Sequence, residues 1–175
     1  MGALKRDDED MTGDRDRLLA EAVRLRADGR REEAREQLLA LCEQFPQDAE
    51  VAYQTAWVHD TLGLEAEAVP HYVRAVSQPG LCPDDRRGAL LGLGSTYRVL
   101  GRYPKAVTTL SGAAAEFPDD AALKTFLAMA LYNTGRAHDA MEMLLTLLAT
   151  TSQDPDIAGY RPAIEHYAKD LDATT

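Results

Sequence analysis

Apolar and polar residues alternate along most of this chain with the period of an α-helix. Leu90, Leu93, Gly94 and Tyr97 recur at i, i+3, i+4 and i+7, which places them on one helix face. Ala106, Leu110 and Ala113 form a second stripe, and Gly101-Arg102-Tyr103-Pro104 between the two predicts a tight turn. The same phrase occurs three more times. Leu18, Ala22 and Leu25 lead through Gly29 to Ala34, Leu38 and Leu41, ending at Phe45-Pro46. Ala52, Ala56 and His59 lead through Gly63 to Ala68, Tyr72 and Ala75, ending at Pro79-Gly80. Leu127, Ala128 and Leu131 lead through Gly135 to Ala140, Leu144 and Leu147. Eight helices in four hairpins are therefore predicted, and no helix could bury its narrow stripe alone.

The four turn glycines lie 34, 38 and 34 residues apart, a period that calls for testing an array first. The four extra residues of the middle interval are placed in a longer loop over residues 78–85. Each turn glycine is followed five residues later by Ala34, Ala68, Ala106 or Ala140, and preceded by seven residues by Ala22, Ala56, Gly94 or Ala128. Small residues at those two positions let paired backbones approach, and glycine supplies the left-handed conformation that reverses the chain. Phe45-Pro46 with Asp48, and Phe117-Pro118 with Asp119 or Asp120, read as a stop followed by a cap for the next helix. Pro70 falls inside a predicted helix, where a bend is expected, whereas Pro104 sits in a first turn.

With small residues at positions 8 and 20, Gly at 15 and Pro at 32, the unit resembles the tetratricopeptide repeat. The resemblance covers residues 14–154, as four repeats at about 15–48, 49–82, 87–120 and 121–154. His59 in place of an aromatic, Gly80 and Ser152 in place of Pro, and Lys124 in place of a large residue depart from the pattern. The implied fold is all-α: a right-handed α-solenoid of four such helix pairs plus a C-terminal capping helix. Residues 1–13 carry charges of both signs without apolar period and read as a disordered acidic leader.

The resemblance also implies that the first helices line a concave groove. The groove positions are Leu19, Val23 and Arg26 in repeat one, Tyr53, Trp57 and Asp60 in repeat two, and Leu91, Ser95 and Arg98 in repeat three. Thr125, Met129, Tyr132 and Asn133 follow in repeat four. Trp57, the single tryptophan, is either an interface anchor or a packing residue between repeats. The Lys and Asn set with which some such proteins clamp a terminal carboxylate is absent, so that mode is not expected. Past the repeats, Asp154-Pro155 starts a helix over residues 155–175. Its stripe of Ile157, Tyr160, Ile164, Tyr167 and Leu171 either caps the open end of the array or mediates self-association. Gly159 and Pro162 are points at which it can split.

Composition narrows the function. A net charge of −10 argues against nucleic acid or an anionic membrane surface as a partner and allows a basic one. No apolar run approaches a membrane span, and the first residues lack the apolar centre of a signal peptide, so a cytoplasmic location is expected. Cys42 and Cys82 lie forty residues apart, which suits reduced thiols. Neither they nor His59, His71, His138 and His166 have metal-ligand spacing, and no cofactor is expected. Gly88, Gly92 and Gly94 with Ser95 and Thr96 match a phosphate loop poorly, because no Lys directly precedes Ser or Thr. The expectation is therefore a non-catalytic interaction module that holds a peptide or helix in its groove, with Arg26, Asp60 and Arg98 setting the register. The alternative is a structural homodimer joined through the groove or the C-terminal helix.

Overall fold

The structure is a computed structural model that describes the backbone of residues 3–174 and the side chains of residues 13–174. The expected leader falls almost entirely on residues whose side chains lie outside that description. Ten α-helices and no strand occur among the described residues. The fold class is thus the all-α, helix-pair class that the periodicity implies. No helix among the described residues is long and apolar enough to cross a membrane. The chain forms two compact units, Met1–Gly92 and Leu93–Thr175.

The first unit begins with α1 (Ala3–Ala27) and α2 (Arg31–Gln44), followed by α3 (Ala49–Thr61) and α4 (Glu65–Ser77). It ends within α5 (Pro83–Val99). Leu19, Ala22 and Leu25 of α1 close on Ala34, Leu38 and Leu41 of α2, with Val51 and Val58 of α3 completing the core. The turn chemistry follows from glycine. Gly29 has φ +82°, its N–H donates to Arg26 O, and the next N–H, of Arg30, donates to Leu25 O. These two bonds are a Schellman closure, and Gly63 repeats them with φ +72°. Asp48 caps α3 by accepting from Val51 N–H at 2.9 Å. Cys42 is buried, its Sγ 3.2 Å from Thr55 Oγ1, and burial pushes its thiol pKa up, consistent with a packing role.

His59 departs from the repeat pattern and is buried nevertheless. Its Nδ1 lies 2.7 Å from Thr55 O and can donate to that carbonyl, and Arg35 Nε donates to its Nε2 at 3.2 Å. Its ring stacks on His71 at 5.2 Å. Helix α4 runs through Pro70, which leaves the carbonyl of Ala66, an exposed residue, without its i+4 partner.

The four extra residues of the middle interval are not loop. Helix α5 has 17 residues where α3 and α7 have 13, so the insertion is one added helical turn at its N-terminus. Pro83 suits the first helical position, and Asp84 and Asp85 suit the positive end of the helix dipole. Arg86 ties the added turn to α4 by donating to Val76 O at 3.0 Å.

In the second unit, α6 (Tyr103–Glu116), α7 (Ala121–Asn133) and α8 (Ala137–Thr151) continue the pattern. Gly101 and Gly135 close their turns at φ +69° and +80°. Any Cβ at Gly94 would collide with Leu110, so glycine is what lets α5 and α6 pair. Asp120, rather than Asp119, caps α7, accepting from Leu123 N–H at 2.7 Å. Leu144, expected on the inner stripe of α8, is exposed. The C-terminal segment over 155–175 is split, as Gly159 and Pro162 allow, into the short α9 (Pro155–Gly159) and the longer α10 (Arg161–Ala168). They are separated at Tyr160, where Gly159 ends one helix and Pro162 favours the first turn of the next. Arg161 Nε donates to Ala149 O of α8 at 2.7 Å, and Ala168 is buried. The expected stripe is consequently divided: Ile157 and Ile164 are half-buried, whereas Tyr160, Tyr167 and Leu171 are exposed.

Candidate functional site

In the first unit, α1, α3 and the start of α5 border a furrow of about 560 Å³. Helix α1 contributes Leu19, Ala20 and Val23, spaced so that all three lie on one helix face, with Arg15 and Asp16 one turn earlier. Glu50 and Gln54 of α3 stand one turn apart, and Asp85 comes from the added turn of α5. Arg15 binds three carboxylates: Asp48 through both oxygens at 2.8 Å, Glu50 at 2.8 Å and Asp16 at 2.7 Å. Burial opposes the charge of Asp48. The bonds from Arg15 and from Val51 N–H outweigh it and hold the carboxyl below its usual range.

Beside the furrow the aromatic residues form a continuous set. Arg26 lies over the Trp57 ring, 3.6 Å from its centroid, and its Nη1 donates to Gln54 Oε1. Trp57 stacks with Tyr53 at 5.7 Å, and Tyr53 lies 6.5 Å from Tyr72. Tyr72 Oη donates to Asp60 at 2.9 Å. Burial, with Asp60 beside it, drives the Tyr72 phenol pKa far up, and burial lowers that of Arg26. Burial followed by the nearby Asp85 raises that of Tyr53. Any Cβ at Gly88 would collide with the Tyr53 hydroxyl, and one at Gly92 with the Tyr72 ring. Two of the glycines that superficially suggest a phosphate loop are therefore seats for these tyrosines.

The groove positions fare differently. Trp57 is 41% exposed, and Val23, half-buried, borders the furrow. Tyr53 is only 6% exposed and supports Trp57 from within. Asp60 is bonded to Tyr72, and Leu91 is half-buried. In the second unit Met129 and Tyr132 of α7 are exposed, Tyr132 by 68%. Ser95 and Arg98 are half-buried, as is Asn133. Arg98 Nε and Asn133 Oδ1 are each buried and lack a hydrogen-bond partner among the described residues. A smaller hollow of about 310 Å³ lies between Tyr97 and the first turns of α6, with Lys105 Nζ 5.6 Å from the Tyr97 ring centroid.

Arg15, Asp16, Glu50, Gln54 and Asp85 were absent from the groove positions. Glu50 and Gln54 flank Tyr53 at helical spacing, a usable signal. Asp85 carried none, because it lies in the segment read as loop.

A family model described as Tetratrico peptide repeat matches residues 49–171. No curated protein matches the chain. Among solved structures the chain is similar to PilF of Pseudomonas aeruginosa, with 19% identity and a TM-score of 0.65 over 92% of this chain and 77% of that one. It is also similar to residues 41 to the end of MamA from Desulfovibrio magneticus RS-1, with 17% identity and a TM-score of 0.64 over 91% and 97% of the two chains. A mutant form of MamA aligns with 17% identity and a TM-score of 0.63, over 73% of this chain and 72% of that one. At these identities the likeness is one of fold.

Proposed function

Because this chain belongs to the tetratricopeptide repeat family, we propose that it is a non-catalytic interaction module whose first-unit furrow receives a peptide or helical segment of a partner protein. The observation that carries this reading is the part-exposed Trp57, held by Arg26 and Tyr53 next to a furrow bordered by Ala20 and Val23. An aromatic ring already held in place loses little side-chain entropy on binding, which is what an anchor requires. Helix-in-groove recognition uses such apolar anchors. The double variant Trp57→Ala, Val23→Ala keeps the helical circular dichroism in this reading and loses the partner in affinity capture at native expression. Equal retention of that partner by the folded variant would falsify the furrow as the binding site.

A second reading, self-association, is favoured by a different observation. Met141, Leu144 and Leu148 on α8 recur at i, i+3 and i+7 and are all exposed, and Tyr160, Tyr167 and Leu171 are exposed as well. A continuous apolar stripe on one helix suits a second copy of the chain. Light scattering tests it: the wild type is a dimer and Leu144→Asp with Leu148→Asp a folded monomer. A monomeric wild type at high micromolar concentration removes this reading.

A further inference from the structure

We infer that the first-unit furrow selects a partner segment that combines apolar residues with Lys or Arg. This deepens the furrow reading above and rests on it. Among the described residues bordering the furrow Arg15 is the single cation, and it is already shared among Asp16, Asp48 and Glu50. Asp85 stands on the α5 side with no ion pair among the described residues. Among the described residues bordering the furrow, one guanidinium thus faces three carboxylates, Asp16, Glu50 and Asp85, and is shared with Asp48 as well, leaving an excess of negative charge around an apolar strip. Arg26, the next cation along that side of α1, offers little compensation, since its guanidinium lies on Trp57 and bonds to Gln54.

The consequences for a guest follow from charge and desolvation. An acidic segment would bring like charges against Glu50 and Asp85 in a partly dewatered cleft, where they interact more strongly than in bulk water. A purely apolar segment would remove water from those carboxylates without replacing it. A segment with apolar residues for Ala20 and Val23 and cations for Glu50 and Asp85 meets both demands. The chain's net charge of −10 also steers a cationic partner toward it. Asp85 is present because of the added turn of α5, so this repeat carries a specificity element that the other first helices lack.

The single tryptophan provides the test. The full chain is titrated, with Trp57 emission as readout, against two amphipathic synthetic peptides lacking Trp. Both carry the same Leu face, with Lys opposite in one and Glu opposite in the other. The Leu/Lys peptide binds and shifts the emission, and its affinity falls about tenfold between about 50 mM and about 500 mM salt, as for a desolvated but accessible charge pairing. Glu50→Gln with Asp85→Asn weakens it by about fivefold or more, whereas Glu36→Gln with Glu43→Gln, on the exposed side of α2, changes it by less than about twofold. Salt dependence of the wild type is readable even if the furrow variant unfolds. Equal or tighter binding of the Leu/Glu peptide, lost on Val23→Ala, overturns the charge selection and leaves the furrow reading standing. If neither peptide moves Trp57 emission, both fall.

Discussion

The α3/α4 hairpin of the first unit and the α7/α8 hairpin of the second are built on one frame and use it differently. Both first helices have 13 residues, begin at an Asp cap and end at a positive-φ glycine. Yet α3 buries Tyr53, Gln54, Thr55 and His59 in addition to its small and aliphatic residues, while α7 buries only Leu and Ala. Several polar groups of the first hairpin pair with one another and with neighbouring helices, His59 with Thr55 and Arg35, Gln54 with Arg26 and Asp60 with Tyr72, while His71 Nδ1 is buried with no hydrogen-bond partner among the described residues. The first hairpin exposes Trp57 and Val73 among its large apolar residues, whereas the second leaves Met129, Tyr132, Met141, Leu144 and Leu148 in contact with water. The frame positions decide that a hairpin forms. Residues between them decide how much of its interior is tied by polar bonds and how much of its surface is left apolar for something else to cover.

The comparison breaks first at the tyrosines. Tyr53→Ala empties a buried site under Trp57 and against Gly88, and costs about 3 kcal/mol in urea unfolding. A loss below about 1 kcal/mol would mean that the first hairpin is no better sealed than the second.

The next effect is one of pH. Burial, then His59 and Arg74, lower the pKa of His71 from 6.5 to about 4. The folded state therefore favours the neutral ring. The stability this contributes is whole above about pH 6.5, falls as pH drops from 6.5 toward 4, and is gone below that. Because the ring is only partly buried, the loss across this window is about 1 kcal/mol. His71→Phe keeps a ring on His59 and removes this part of the pH dependence. Superimposable wild-type and variant curves from pH 7 to about 4 would show that His71 does not titrate as described.

The smallest effect belongs to the second hairpin. Tyr132→Ala removes an exposed ring and changes stability by less than about 0.5 kcal/mol.

Most of the hairpin frame was legible because its causes are local. A Gly that must adopt positive φ, an Asp that caps the next helix and an alanine every turn or two follow from the conformation of a few consecutive residues. The exceptions share a cause. Gln78 through Asp85 carries Pro, Gly and Asp, the usual marks of a loop, and its last residues nonetheless form a helical turn. That turn is secured by Arg86 on Val76 O, a bond between residues that sequence spacing does not connect. The division of the C-terminal stripe at Tyr160 was signalled by Gly159 and Pro162, but which residues turn inward depended on the docking of α10 against α8. The site divides the same way. Repeat positions named Val23 and Trp57 for the proposed site, whereas they named none of the carboxylates around Arg15.

Periodicity, turn glycines and small residues at two fixed positions determined that this chain folds as tetratricopeptide hairpins, since each acts within one turn or one helix pair. The tertiary structure alone decided that Arg26 lies on Trp57, that Arg15 gathers Asp48 and Glu50 from more than thirty residues away, and that an added turn brings Asp85 to the furrow. Those contacts join side chains far apart in sequence, and their strength depends on distance and burial, which helical spacing leaves open.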